Sequence, residues 1–139
     1  MRPEDGDDSP PVVLMLDLPA VPSSAGLARG ALSGVLQRSS DHDARDTAEL
    51  LLTELVTNAA RHVGGVMHVE VGVSEDTIRV LVCDDSRVLP HAPELPEWES
   101  ESGRGLFLLE ELSDRWGAHT MPTGKCVWFE LSVPDRHAS

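Results

Sequence analysis

Hydrophobic positions along the chain recur at two spacings, and the switch between them marks the elements. Between residues 43 and 62, Ala44, Ala48, Leu51, Leu52, Leu55, Val56 and Ala59 fall three and four apart, the interval that lines one face of a helix. Asp41 or Asp43 supplies its cap, and Gly64-Gly65 its stop. An earlier helix is predicted from Ser23 or Ser24, either of which can cap it, to about Gln37, with Leu27, Ala31, Val35 and Leu36 inward. Its Gly30 and Gly34 weaken it or allow close packing. A third helix, Gly103 to Asp114, places Leu106, Leu109 and Leu112 on one face. Elsewhere the period shortens toward two: Val12–Leu18, Val66–Val73, Thr77–Cys83, Trp116–Met121 and Cys126–Val133 read as strands. Ser74–Asp76 and Pro122–Lys125 are short enough to close hairpins. The order β-α-α-ββ-α-ββ predicts an α+β fold, a two-layer α/β sandwich with a mixed, mostly antiparallel sheet and helices on one face.

The boundaries follow from the same pattern. Residues 1–11 are polar, acidic and proline-bearing and read as a disordered tail; 12–134 form a single domain; 135–139 are a second tail. From Asp84 to Ser102 the chain is irregular, with prolines at 90, 93 and 96, and a loop of that length in a compact domain is usually functional.

Composition removes several classes. A chain of 139 residues is one ordinary domain, and 40% hydrophobic content is too high for a disordered chain. The longest apolar run, Val12 to Val21, is broken by Asp17 and Pro19 and is too short to span a membrane. A net charge of −13 repels phosphate backbones and argues against nucleic-acid binding. The N-terminus is acidic, unlike a secretory leader, so a cytoplasmic location is expected, with Cys83 and Cys126 as reduced, buried thiols in strands. His62 reads as a favourable partial charge near a helix C-terminus, and the other histidines share no zinc-ligand spacing with the cysteines.

Three groups carry candidate chemistry. Glu54 and Asn58 lie four apart on the long helix, beside its apolar stripe, so a carboxylate and a carboxamide project together. An amide oxygen suits a hard cation such as Mg²⁺, and a carboxylate can take a proton. Asp84 closes an apolar strand, where a carboxylate can accept an exocyclic amine and so read a purine. Ser102-Gly103-Arg104-Gly105-Leu106 puts two glycines and an arginine at a helix start, where backbone N–H groups and the helix dipole favour an anion. Each group also has a structural reading: an exposed polar pair, a turn, and a loop-to-helix glycine.

Taken in order, these segments resemble the GHKL (Bergerat-fold) ATPase superfamily. Glu54-Leu55-Val56-Thr57-Asn58-Ala59-Ala60-Arg61-His62 resembles its N box, and Asp84-Asp85-Ser86-Arg87-Val88-Leu89-Pro90 its first glycine box. Gly103-Arg104-Gly105-Leu106-Phe107-Leu108-Leu109 resembles the second box, and Gly124 to Leu131 the closing strand. The resemblance runs from Leu14 to Val133 and is greatest to the stand-alone anti-sigma-factor serine/threonine kinase branch of actinobacterial type. It implies ATP and Mg²⁺ as cofactors, with Asn58 holding the metal and Glu54 as the catalytic base on a water or a partner's serine. It implies that Asp84 binds the adenine amine, with Ser86 beside it in the same box. It places Gly103, Arg104, Gly105 and Leu106 at the nucleotide, and makes 86–102 a lid. Three positions depart from the family pattern: Ser86 and Val88 replace its glycines, and either Lys125 or Cys126 stands where a threonine is usual.

The implied function is that of an ATP-binding regulatory protein in a partner-switching system, a kinase that phosphorylates a serine of an antagonist protein. A sigma factor, an anti-sigma-factor antagonist, or both are the implied partners, with homodimerisation left open. Two alternatives share the fold: a non-catalytic module acting by sequestration, and a plain ATPase. Glu54 favours catalysis, and the altered glycine box favours the module.

Overall fold

A computed structural model describes residues 9–37, 41–61, 65–85 and 101–133, without the side chains of 61 and 101–104. The elements follow in the order β1 (Val12–Pro19), α1 (Ser24–Leu36), α2 (His42–Arg61), β2 (Val66–Val73), β3 (Thr77–Asp84), α3 (Glu101–Leu112), β4 (Arg115–Met121) and β5 (Gly124–Ser132). The strands form one sheet in the order β1-β2-β3-β5-β4, and each of its four pairings is antiparallel. The α+β expectation is met, and the mixed character of the sheet is not seen among the described residues. Among them no helix is long and apolar enough to cross a membrane.

Alternation along each strand sorts the side chains onto two faces. Val69, Val71, Ile78, Val80, Val82, Phe129 and Leu131 point to the helices and are almost fully buried. Against them pack Ala44, Ala48, Leu51, Leu52, Leu55, Val56 and Ala59, so α2 buries the stripe that its spacing predicts. Asp41 caps α2, its Oδ1 accepting from the Ala44 N–H at 2.9 Å. Such a cap is worth about 1 kcal/mol, and removing a buried leucine such as Leu51 about 2–5 kcal/mol.

Helix α1 is rotated from the predicted face. Ala28, Leu32 and Leu36 are buried with Ser24, whereas Leu27 is 64% exposed. Apolar residues at 27, 28, 31, 32, 35 and 36 make two overlapping stripes, and local spacing does not choose between them. Packing chooses the stripe that continues through Ser24, whose hydroxyl donates to the Pro19 carbonyl at 2.7 Å. That bond removes most of the cost of burying the hydroxyl. No serine side chain caps this helix. Helix α3 begins two residues earlier than expected, and Leu112 lies 39% exposed while Leu106 and Leu109 are buried.

The expectation of two free thiols is also corrected. Cys83 and Cys126 are register partners on β3 and β5, and their sulfurs are bonded. The pairing joins residues 43 apart in sequence, which no local pattern reveals. Most of the predicted N-terminal tail, and 135–139, lie outside the described residues. The last residues before β1 are described: Pro11 accepts a hydrogen bond from the Val73 N–H at 3.1 Å, and a side chain at Gly72 would meet the Pro10 carbonyl at 2.7 Å. The chain therefore crosses the helix-free face of the sheet before entering β1.

Candidate functional site

Four sequence-distant segments, from α2, β3, α3 and β5, meet at one end of the sheet around a pocket. Its apolar wall comes from Leu55 and Ala59 of α2, Val82 of β3, Leu106 and Leu109 of α3, and Val127 of β5. Its polar groups are Asn58, Asp84 and Lys125. A mostly apolar hollow with a few convergent polar groups is the usual form of a small-molecule site.

Each polar group arrives by a simple local rule. Asn58 sits four residues after Glu54 on α2, at the border of the buried stripe. Its Oδ1 is buried and has no hydrogen-bond partner among the described residues. An orphaned amide oxygen costs about 1–3 kcal/mol unless a ligand satisfies it, and it fits a hard cation. Asp84 has the same parity as Ile78, Val80 and Val82, so β3 turns it toward the helices. Lys125 has the parity of Val127, Phe129 and Leu131 and faces the same way. The two pair directly across β3 and β5, with Lys125 Nζ 3.7 Å from Asp84 Oδ2 and both side chains under a tenth exposed.

Two glycines make this closeness possible. A side chain on Gly105 would start 2.7 Å from Asn58 Nδ2, so only a glycine lets α3 approach α2 there without displacing the amide. At Gly124, with φ at +154°, a Cβ would collide with the Asp84 carbonyl oxygen, far inside van der Waals contact. Gly124 thus seats the β4–β5 turn on the end of β3 and delivers Lys125 to Asp84.

The structure brings together four of the residues expected at the nucleotide: Asn58, Asp84, Gly105 and Leu106 all line the pocket. Glu54 is buried one turn before Asn58, its Cβ 3.9 Å from where a Gly105 side chain would begin, and so adjoins the pocket rather than lining it. Gly103 and Arg104 fall in the first turn of α3, which starts two residues before the predicted Gly103. Ser86 and the rest of 86–100, with Trp98 and all but the last two residues of the expected 86–102 lid, lie outside the described residues, and Glu101 and Ser102 open α3. Of the alternatives Lys125 and Cys126, Lys125 lines the pocket, and Cys126 is on the other face in the disulfide. Its alternation with three core residues of β5 was the signal that could have found it.

The opposite face holds groups that sequence reasoning did not single out. Arg79 donates to Glu130 at 2.8 Å and lies over the Trp128 ring at 4.5 Å, with Arg115 reaching the same carboxylate at 3.3 Å. His68 bridges Asp17 at 2.7 Å and Glu70 at 2.8 Å. Partial burial opposes its charged form, but the hydrogen bonds to Asp17 and Glu70 and their negative charges outweigh it and raise its pKa above the ordinary 6.5.

Comparison with known proteins points the same way. Residues 18–131 match the histidine kinase-like ATPase domain. A serine-protein kinase RsbW of Oceanobacillus iheyensis is 31% identical over 116 residues, which cover 71% of this chain and 73% of that one. The serine-protein kinase RsbW of Bacillus subtilis is also 31% identical, over 71% of this chain and 72% of its own. The histidine kinase domain of a blue-light activated histidine kinase from Erythrobacter litoralis superposes with a TM-score of 0.52 at 20% identity, covering 93% of this chain and 66% of that one.

Proposed function

The chain belongs to the histidine kinase-like ATPase domain family, alongside its serine-protein kinases, and from that premise we propose that it is an ATP-dependent regulatory serine kinase of a partner-switching system. Family membership implies ATP use. The observation that carries the finer reading is the convergence of Asn58, Asp84 and Gly105 on one pocket. Asp84 accepts the amine of adenine, since an ionised carboxylate offers only acceptors. The apolar wall of Leu55, Val82, Leu109 and Val127 holds the ring. Asn58 Oδ1 would hold Mg²⁺, whose charge, when bound, offsets that of the phosphates. The first turn of α3, with Gly103 and Arg104, offers backbone N–H groups to the phosphate end. Glu54, beside Gly105, takes the proton of the attacking hydroxyl, a serine of an antagonist protein. A sigma factor is the second partner, held when the antagonist is phosphorylated and cannot compete. The site of action is the cytoplasm, where ATP and both partners are found.

Calorimetric titration of ATP with and without Mg²⁺ tests the nucleotide site. Wild type is expected to bind more tightly with Mg²⁺, and Asn58→Ala to lose that dependence with its fold intact. An unchanged Mg²⁺ response in the variant returns Asn58 to a packing role.

A further inference from the structure

Lys125 is the chain's only lysine, and it is 5% exposed. Its ammonium lies 3.7 Å from the Asp84 carboxylate. That separation is a charge–charge contact, longer than a hydrogen bond, and leaves N–H donors for a third group. Resting on the ATP reading above, we infer that Lys125 reads the purine base: it donates to ring nitrogen N1 of adenine while Asp84 accepts from the neighbouring 6-amino group.

The argument turns on what can sit against both groups at once. An ammonium only donates and a carboxylate only accepts. A phosphate placed on Lys125 would lie against the Asp84 carboxylate, and like charges at that range in a buried site are costly. The fit is therefore a neutral group that presents an acceptor and a donor on adjacent atoms. The N1 and 6-amino positions of adenine are such a pair. Lys125 belongs to the base end of the pocket because Gly124 leaves it nowhere else to go: the turn is seated on the Asp84 carbonyl, and the next residue must face Asp84 across the sheet.

The test compares ATP with 1-deaza-ATP, which keeps the amine and replaces N1 with a C–H. Wild type is expected to bind ATP about tenfold to a hundredfold more tightly, the range for one hydrogen bond to a charged group. In Lys125→Met the two nucleotides should bind within about twofold of each other, because the variant keeps the side chain's bulk and loses its donors. Equal binding of the two by wild type overturns the inference, as does an undiminished preference in Lys125→Met. If Lys125→Met does not fold, as judged by circular dichroism, Lys125→Leu decides, since it too lacks a donor: a preference several-fold below that of wild type supports the inference, and an equal one overturns it. Failure of wild type to bind either nucleotide overturns the ATP site itself, and is thereby distinguishable from an error about Lys125.

Discussion

The two faces of the sheet each bury an ion pair between β3 and β5, and the pairs are built differently. On the helix-free face, Arg79 and Glu130 meet at 2.8 Å, the guanidinium stacks on Trp128, and Arg115 adds a second cation to the carboxylate. On the helix side, Lys125 and Asp84 stop at 3.7 Å and border an open pocket. The first pair is in hydrogen-bond contact and is flanked by an aromatic ring and a second guanidinium. The second holds a donor and an acceptor apart, beside an amide oxygen with no partner among the described residues. A buried amide oxygen left without a partner costs stability, and where it lines a pocket, as at Asn58, it points to a ligand that completes it. The difference separates a structural pair from a binding pair more clearly than residue type does, since both are an acid and a base.

That contrast yields variants that should affect one face and spare the other. The largest effect is expected from Glu54→Ala on the pocket side. Phosphoryl transfer from radiolabelled ATP to an antagonist partner should fall by about 10²–10⁴-fold, the usual loss when a general base is removed, with ATP binding retained. Equal transfer by wild type and variant would remove Glu54 as the base. No transfer by wild type to a partner that binds it would favour sequestration.

Next in size is Glu130→Ala on the open face. Removing one partner of a buried pair typically costs about 3–5 kcal/mol, and urea denaturation should show a loss near the lower figure while ATP affinity in the folded protein is unchanged. A matching loss of ATP affinity would mean that the two faces are coupled through β5. The Cys83–Cys126 bond comes third. Cutting a link between residues 43 apart should lower stability by about 2–4 kcal/mol, seen as a fall in the urea midpoint on adding a reductant and absent in Cys83→Ala/Cys126→Ala.

The smallest effect is that of pH at His68. Its folded-state pKa is raised, so the protonated ring stabilises the fold. This contribution is complete below the unfolded value of about 6.5 and is lost as pH rises through the folded one. Melting temperature should therefore decline across that interval in wild type and decline less in His68→Asn. Identical profiles would show that Asp17 and Glu70 gain nothing from the charge.

The sequence by itself determined what depends on near neighbours. The α2 stripe, the hairpin at 74–76, the strand alternation and the placing of Glu54 beside Asn58 all follow from residues within a few positions of each other, because helix and strand periods are local. Alternation even decides the face of Asp84 and of Lys125 once the strands are drawn. Only the tertiary structure decided which positions meet. The rotation of α1 was settled by what the stripe packs against, not by the stripe. The Cys83–Cys126 bond and the contact of Lys125 with Asp84 depend on the register of β3 against β5, which joins segments some forty residues apart. The role of Gly105 is visible only with Asn58 2.7 Å from the Cβ it lacks. Cross-strand register and helix rotation are set by the fit of the whole core, so no short stretch of the chain contains them.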